Sequence, residues 1–144
     1  MGLVELLTAM VILTIALGAL LTAYTASVRS LERSGAEGTA LTVADRQMES
    51  YRSLPFTCIA LNGGTAPAGC PSASGFPNPY SATQTPSGTD TPDHRTYTVT
   101  TSISTASGVS AVTVSVTNSG GTELARESST FSSTDFPAST TGGS

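Results

Sequence analysis

Glu5 is the one charged residue among the first 28, and it lies inside an apolar run that reads LVELLTAMVILTIALGALLTAYTASV from Leu3 to Val28. A carboxylate in such a segment costs on the order of a few kcal/mol unless something neutralises it, so its chemistry is ion pairing and its presence asks for a cation. The run supplies none. Arg29, the nearest basic side chain, stands roughly 36 Å further along a helix rising about 1.5 Å per residue. The partner must come from another molecule, and the positive group at the matching depth is the free α-amino group of a neighbouring Met1. This reasoning predicts a self-assembling subunit in which Met1 and Glu5 carry assembly.

Other residues invite chemistry less well. Asp93-His94 among many serines has the composition of a hydrolytic triad, but His94 lies in a proline-rich stretch and no nucleophile-elbow pattern is present. No catalytic residue and no cofactor is therefore expected. Asp90, Asp93 and Asp135 are oxygen donors of the kind that hold calcium, without the spacing of an EF-hand, and read as solvated turn aspartates. Cys58 and Cys70 are the only cysteines, and with a single distant histidine they fall short of a zinc site. A disulfide is the expected reading and two buried free thiols are the alternative. The many Ser and Thr permit O-glycosylation, whereas none of Asn62, Asn78 and Asn118 begins an N-glycosylation sequon.

The elements that position these residues divide at Pro55. From Leu3 to about Leu54 the pattern is helical, interrupted only by Gly18, Gly35 and Gly38. Residues 1–28 form its apolar part and residues 29–55 an amphipathic continuation. Leu41, Ala44, Met48, Tyr51 and Leu54 recur at three- and four-residue spacing, as expected of a stripe packed on a head. Gly35 and Gly38 are expected to kink or soften the stem. Pro55 ends it. Seven of the eight prolines fall between Pro55 and Pro92, so 56–92 reads as a long loop that needs fastening, and a Cys58–Cys70 bridge would supply roughly 3 kcal/mol.

Beyond Pro92 the period changes to two. Tyr97, Val99, Thr101 and Ile103 alternate with polar residues, Val112, Val114 and Val116 do so again, and Leu124 to Phe131 is a weaker third run. Ser107-Gly108 and Asn118 to Gly121 are the turns between them. The expected fold is α+β: a long stem helix, and a head (56–144) with a three-stranded antiparallel meander over 95–133 packed on it. Residues 137–144 read as a loose tail. The head is small and its core thin. With a net charge of −4, six Arg and no Lys, a nucleic-acid surface is disfavoured.

The flanks of the apolar run add a further expectation. Positive charge follows the run, at Arg29 and Arg33, and none precedes it, which taken alone would leave the remainder in the cytoplasm. The Ser/Thr/Gly-rich remainder and its cysteine pair suit an extracellular surface instead. The two agree if a short basic leader preceded Met1 and was removed.

With these residues in view, MGLVELLTAMVILTIALGALLTA resembles the mature N-terminus of bacterial type IV pilins and of the related pseudopilins of type II secretion. The likeness is strong over roughly 25 residues and looser over ADRQMESYRSLPF, Ala44 to Phe56. Gly2 replaces the family's usual Thr, and Thr22 stands where many pilins place a Pro. The resemblance implies that a prepilin peptidase creates Met1 as N-terminus and that this amine is methylated. It also implies that Glu5 is the family's glutamate, and that helices bundle into the core of an extracellular filament. A separate cytoplasmic ATPase and inner-membrane machinery would drive assembly from the membrane, since this chain has no nucleotide-binding motif. Adhesion and twitching motility are the implied roles, in a major pilin, a minor pilin or a pseudopilin; loop carboxylates hold calcium in some pseudopilins. From another class, the rival is a single-pass membrane-anchored binding domain that never polymerises.

Overall fold

The computed structural model describes residues 2–134. Its first element is α1, Leu3–Arg52, a helix uninterrupted at Gly18, Gly35 or Gly38. Glycine keeps the backbone hydrogen bonds that carry a helix and only lowers its propensity, so Gly35 and Gly38 stay within α1. The helix stops three residues before Pro55, whose ring disfavours helical backbone in the residue preceding it. The chain divides into two compact units, Met1–Ala36 and Glu37–Ser144.

Within Glu37–Ser144, α1 buries Thr39, Ala40, Val43, Ala44, Gln47, Met48 and Tyr51. These recur every three or four residues and form one stripe. Leu41, expected in that stripe, is 49% exposed. At about 100° per residue it falls just outside the face centred on Ala40, Ala44, Gln47 and Tyr51.

The sheet is an antiparallel meander of four strands, one more than expected: β1 (Thr83–Gln84), β2 (Tyr97–Ala106), β3 (Val109–Asn118) and β4 (Glu123–Ser132), in that spatial order. Strand β1 and two short 3-10 turns, Phe56–Cys58 and Gly88–Asp90, lie in the stretch expected as plain loop. Each is too short to leave a periodic trace in sequence. Ser107 and Gly108, at φ 52° and 77°, form the two-residue turn between β2 and β3, the left-handed pair that matches strand twist. At the next turn Asn118 Oδ1 accepts from the amides of Gly120 (3.0 Å) and Thr122 (2.9 Å). A register shift at Val116/Thr117 skips Leu124.

Tyr97 and Val99 of β2, Val112, Val114 and Val116 of β3, and Ala125 and Phe131 of β4 join the helix stripe in a single core with Leu54, Cys58, Ile59 and Tyr80. Alternation puts them on one face of the sheet and leaves Ser and Thr on the other. The long loop is tied down at several points. Cys58 is bonded to Cys70. Tyr51 and Tyr80 donate their hydroxyls to the carbonyls of Pro79 (2.6 Å) and Pro71 (2.7 Å). Gln47, fully buried, donates to the Asn78 carbonyl at 2.9 Å, and Gln84 Nε2 reaches both that carbonyl (2.9 Å) and Gln47 Oε1 (3.0 Å). That amide network joins α1, the loop and β1. The expected tail, Asp135 and Met1 lie outside the described residues.

Candidate assembly segment

The candidate site is the apolar part of α1. Leu, Ile, Val, Ala and Met fill it on every side, so no polar face is available to water. Leu3 is 79% exposed, Ile15 68%, Leu20 67% and Leu21 66%. A helix apolar all round belongs in a protein core or in lipid. α1 is the one helix among the described residues long and apolar enough, by length and composition, to cross a membrane.

The threonine hydroxyls in this segment are folded back on their own helix. Thr8 Oγ1 donates to the carbonyls of Val4 (3.1 Å) and Glu5 (2.9 Å), Thr14 to Val11 (2.8 Å), Thr22 to Ala19 (2.8 Å) and Thr25 to Thr22 (3.0 Å). Each satisfies its donor within the helix, so these threonines enter an apolar medium without an orphaned polar group. Sequence reading passed over them. The signal was present in their spacing, since any Thr inside a helix has a carbonyl three or four residues back.

Glu5 has no such internal solution. Its backbone amide donates to the Gly2 carbonyl at 3.0 Å. Its side chain borders a groove lined by Gly2, Leu3, Leu6 and Ala9. A carboxylate is acceptor-only, and these neighbours offer it no side-chain donor. No ion-pair partner of Glu5 lies among the described residues. The carboxylate is the one charged side chain of the segment, and it has no partner among the described residues.

In the Glu37–Ser144 unit the loop residues singled out in the sequence are tied up structurally. Asp93 accepts the Tyr97 hydroxyl at 2.6 Å and the Arg95 amide at 3.2 Å. Burial opposes charge on Asp93, but Tyr97 and Arg95 outweigh it and hold the carboxyl below its ordinary range. His94, at φ 57°, places Nδ1 2.8 Å from the Gly88 carbonyl, and no serine hydroxyl is bonded to it. The Asp90 carbonyl accepts from Arg46 Nη1 at 3.0 Å. Among the described residues no group of three or more His, Cys, Asp or Glu is arranged to hold a metal ion. The chain matches no protein-family model, no curated protein and no solved structure.

Proposed function

We propose that the protein is the structural subunit of an extracellular type IV pilus-like filament, held together through the apolar part of α1. The supporting observation is the lone Glu5 carboxylate in the part of α1 that is otherwise apolar all round, with its threonines already satisfied internally. In this reading the Met1 amine of an adjacent subunit neutralises Glu5, and the side-by-side helices cover the exposed leucines. Each leucine so covered is worth roughly 2 kcal/mol. Before assembly the same segment lies in the cytoplasmic membrane, and the Ser/Thr-rich head faces the exterior. Adhesion and motility are functions such a filament would serve.

The length and apolarity of α1 also favour a second reading, a head anchored by a single span without polymerising. That reading gives Glu5 no task. Replacing Glu5 by Ala separates the two. Removing the charge eases insertion, so the variant is expected in the membrane fraction at undiminished level while filaments in sheared surface material, imaged by electron microscopy, are lost. Normal filament numbers in the variant refute the pairing, and absence of filaments from the unmutated strain favours the anchor.

A further inference from the structure

The loop closed by Cys58 and Cys70 carries the chain's one Asn-Gly pair, Asn62-Gly63. The Thr65 amide donates to the Asn62 carbonyl at 3.1 Å, and the two residues between them, Gly63 and Gly64, have φ of 60° and 85°. Two positive central φ values belong to a tight turn that glycine adopts without steric cost. Asn62 and Gly63 are both exposed, and a side chain at Gly63 would meet nothing within 4 Å. Among the described residues the Gly63 amide donates no hydrogen bond. Asn62 Nδ2 donates to the Thr65 carbonyl at 3.1 Å, and its Oδ1 is left to water. An unbonded amide nitrogen thus stands next to an uncrowded side-chain amide in open solvent.

The other two asparagines lack this arrangement. Asn78 is followed by Pro79, whose nitrogen has no hydrogen to lose. Its Oδ1 accepts from the Tyr80 amide at 3.0 Å and its Nδ2 donates to the Gly64 carbonyl at 2.9 Å. Asn118 Oδ1 is held by the amides of Gly120 and Thr122, and Ser119 sets a Cβ beside the nitrogen that would attack.

We propose that Asn62-Gly63 is a self-modification site, at which water alone converts Asn62 to aspartate and isoaspartate. The Gly63 amide loses its proton to hydroxide and its nitrogen bonds to Asn62 Cγ. The Cγ–Nδ2 bond breaks, and the nitrogen leaves as ammonia with a proton from water. The product is a cyclic imide. Water then opens one imide carbonyl or the other, leaving aspartate or isoaspartate, and nothing is oxidised or reduced. Either product places a new negative charge in the loop. Isoaspartate also threads the main chain through its own Cβ and lengthens it by one atom. The amides of Asn62 and Gly64 both donate to the Tyr80 carbonyl at 2.9 Å, and a main chain lengthened between them does not keep both bonds. Conversion therefore releases the loop from Tyr80.

The test incubates the full chain in a neutral detergent at a series of mildly alkaline pH values, folded and in urea, and maps it after reduction and cleavage at arginine. Residues 53–95 then carry Asn62 and Asn78, and residues 96–126 carry Asn118. In the folded chain, aspartate and isoaspartate should accumulate at Asn62 with an equal amount of free ammonia, and faster as pH rises, while Asn78 and Asn118 stay amides. The isoaspartate fraction should then unfold at a lower urea midpoint than the unconverted chain, followed by near-ultraviolet dichroism of the buried tyrosines Tyr51, Tyr80 and Tyr97. An Asn62 that stays an amide in the folded chain while the urea-unfolded chain converts overturns the proposal, because the fold would then protect it. Conversion at Asn78 or Asn118 as fast as at Asn62, or a rate indifferent to pH, overturns it as well. An isoaspartate fraction as stable as the unconverted chain overturns the release from Tyr80.

Discussion

The hydroxyl of Tyr97 donates to Oδ2 of Asp93 across 2.6 Å, joining the first residue of β2 to the loop that leads into it. Tyr97 is 2% exposed, so both partners gain from a bond that water would otherwise weaken. Burial, reinforced by the neighbouring Asp93 charge, pushes the phenol up to about 12. Asp93 moves the other way.

These shifts give the head an acid limit and an alkaline one. Asp93, depressed below its ordinary 3.8, contributes stability that is present above that value and is lost as pH falls through the folded value. Tyr97, raised above 10, contributes stability that is complete below 10 and is lost as pH rises toward about 12. Tyr97→Phe should cost roughly 1–2 kcal/mol at neutral pH and flatten the acid limb. Urea midpoints between acid and neutral pH check it; an unchanged acid limb contradicts it.

Gln47 is expected to matter more to the head than its polarity suggests. Gln47→Leu keeps the volume but deprives Gln84 Nε2 of one acceptor and the Asn78 carbonyl of one donor. The loss should be roughly 1–3 kcal/mol. Tyrosine dichroism against urea measures it, and an equally stable variant would show that water replaces the amide.

Reduction of Cys58–Cys70, which are 12 residues apart, should lower head stability by about 3 kcal/mol while the sheet still forms. Comparing urea midpoints with and without reductant tests the size. An unchanged midpoint would mean that Tyr80, Asn78 and Gln47 already hold the loop.

In the stem, Leu13→Arg or Leu17→Arg should remove filaments altogether, because an arginine at the centre of an apolar helix costs about 2.5–3.5 kcal/mol on insertion alone and leaves a charge in the bundle. Ser102→Arg, on an exposed position of β2, should leave them intact. Electron microscopy of both decides; filaments surviving Leu13→Arg would place the governing contacts in the heads.

Much of this fold was legible because it rests on period. The helix through Tyr51, the alternating valines of β3 and the turn at Ser107-Gly108 all announce themselves locally. What the sequence concealed depends on distant partners. Two residues cannot display a strand's alternation, so Thr83 and Gln84 became β1 only by pairing with Thr100 and Val99. Gln47 reads as a surface residue until Asn78 and Gln84 are folded against it. Leu41 was misplaced because three- and four-residue spacing alone does not settle which side of a stripe is its margin. In the candidate site Glu5 stood out by its isolation, whereas the threonines around it gained meaning only once the helix was drawn.

The helix stripe and the strands that cover it are far apart along the chain: Met48 and Tyr51 wait for Val114 and Phe131. A ribosome adding about 5–20 residues per second takes on the order of ten seconds to deliver the last of these after the first. During that interval the stripe has no complete sheet to meet, and Met48 and Tyr51 are open to any apolar surface nearby. The head core is thus completed only once β4, the last strand among the described residues, has been made.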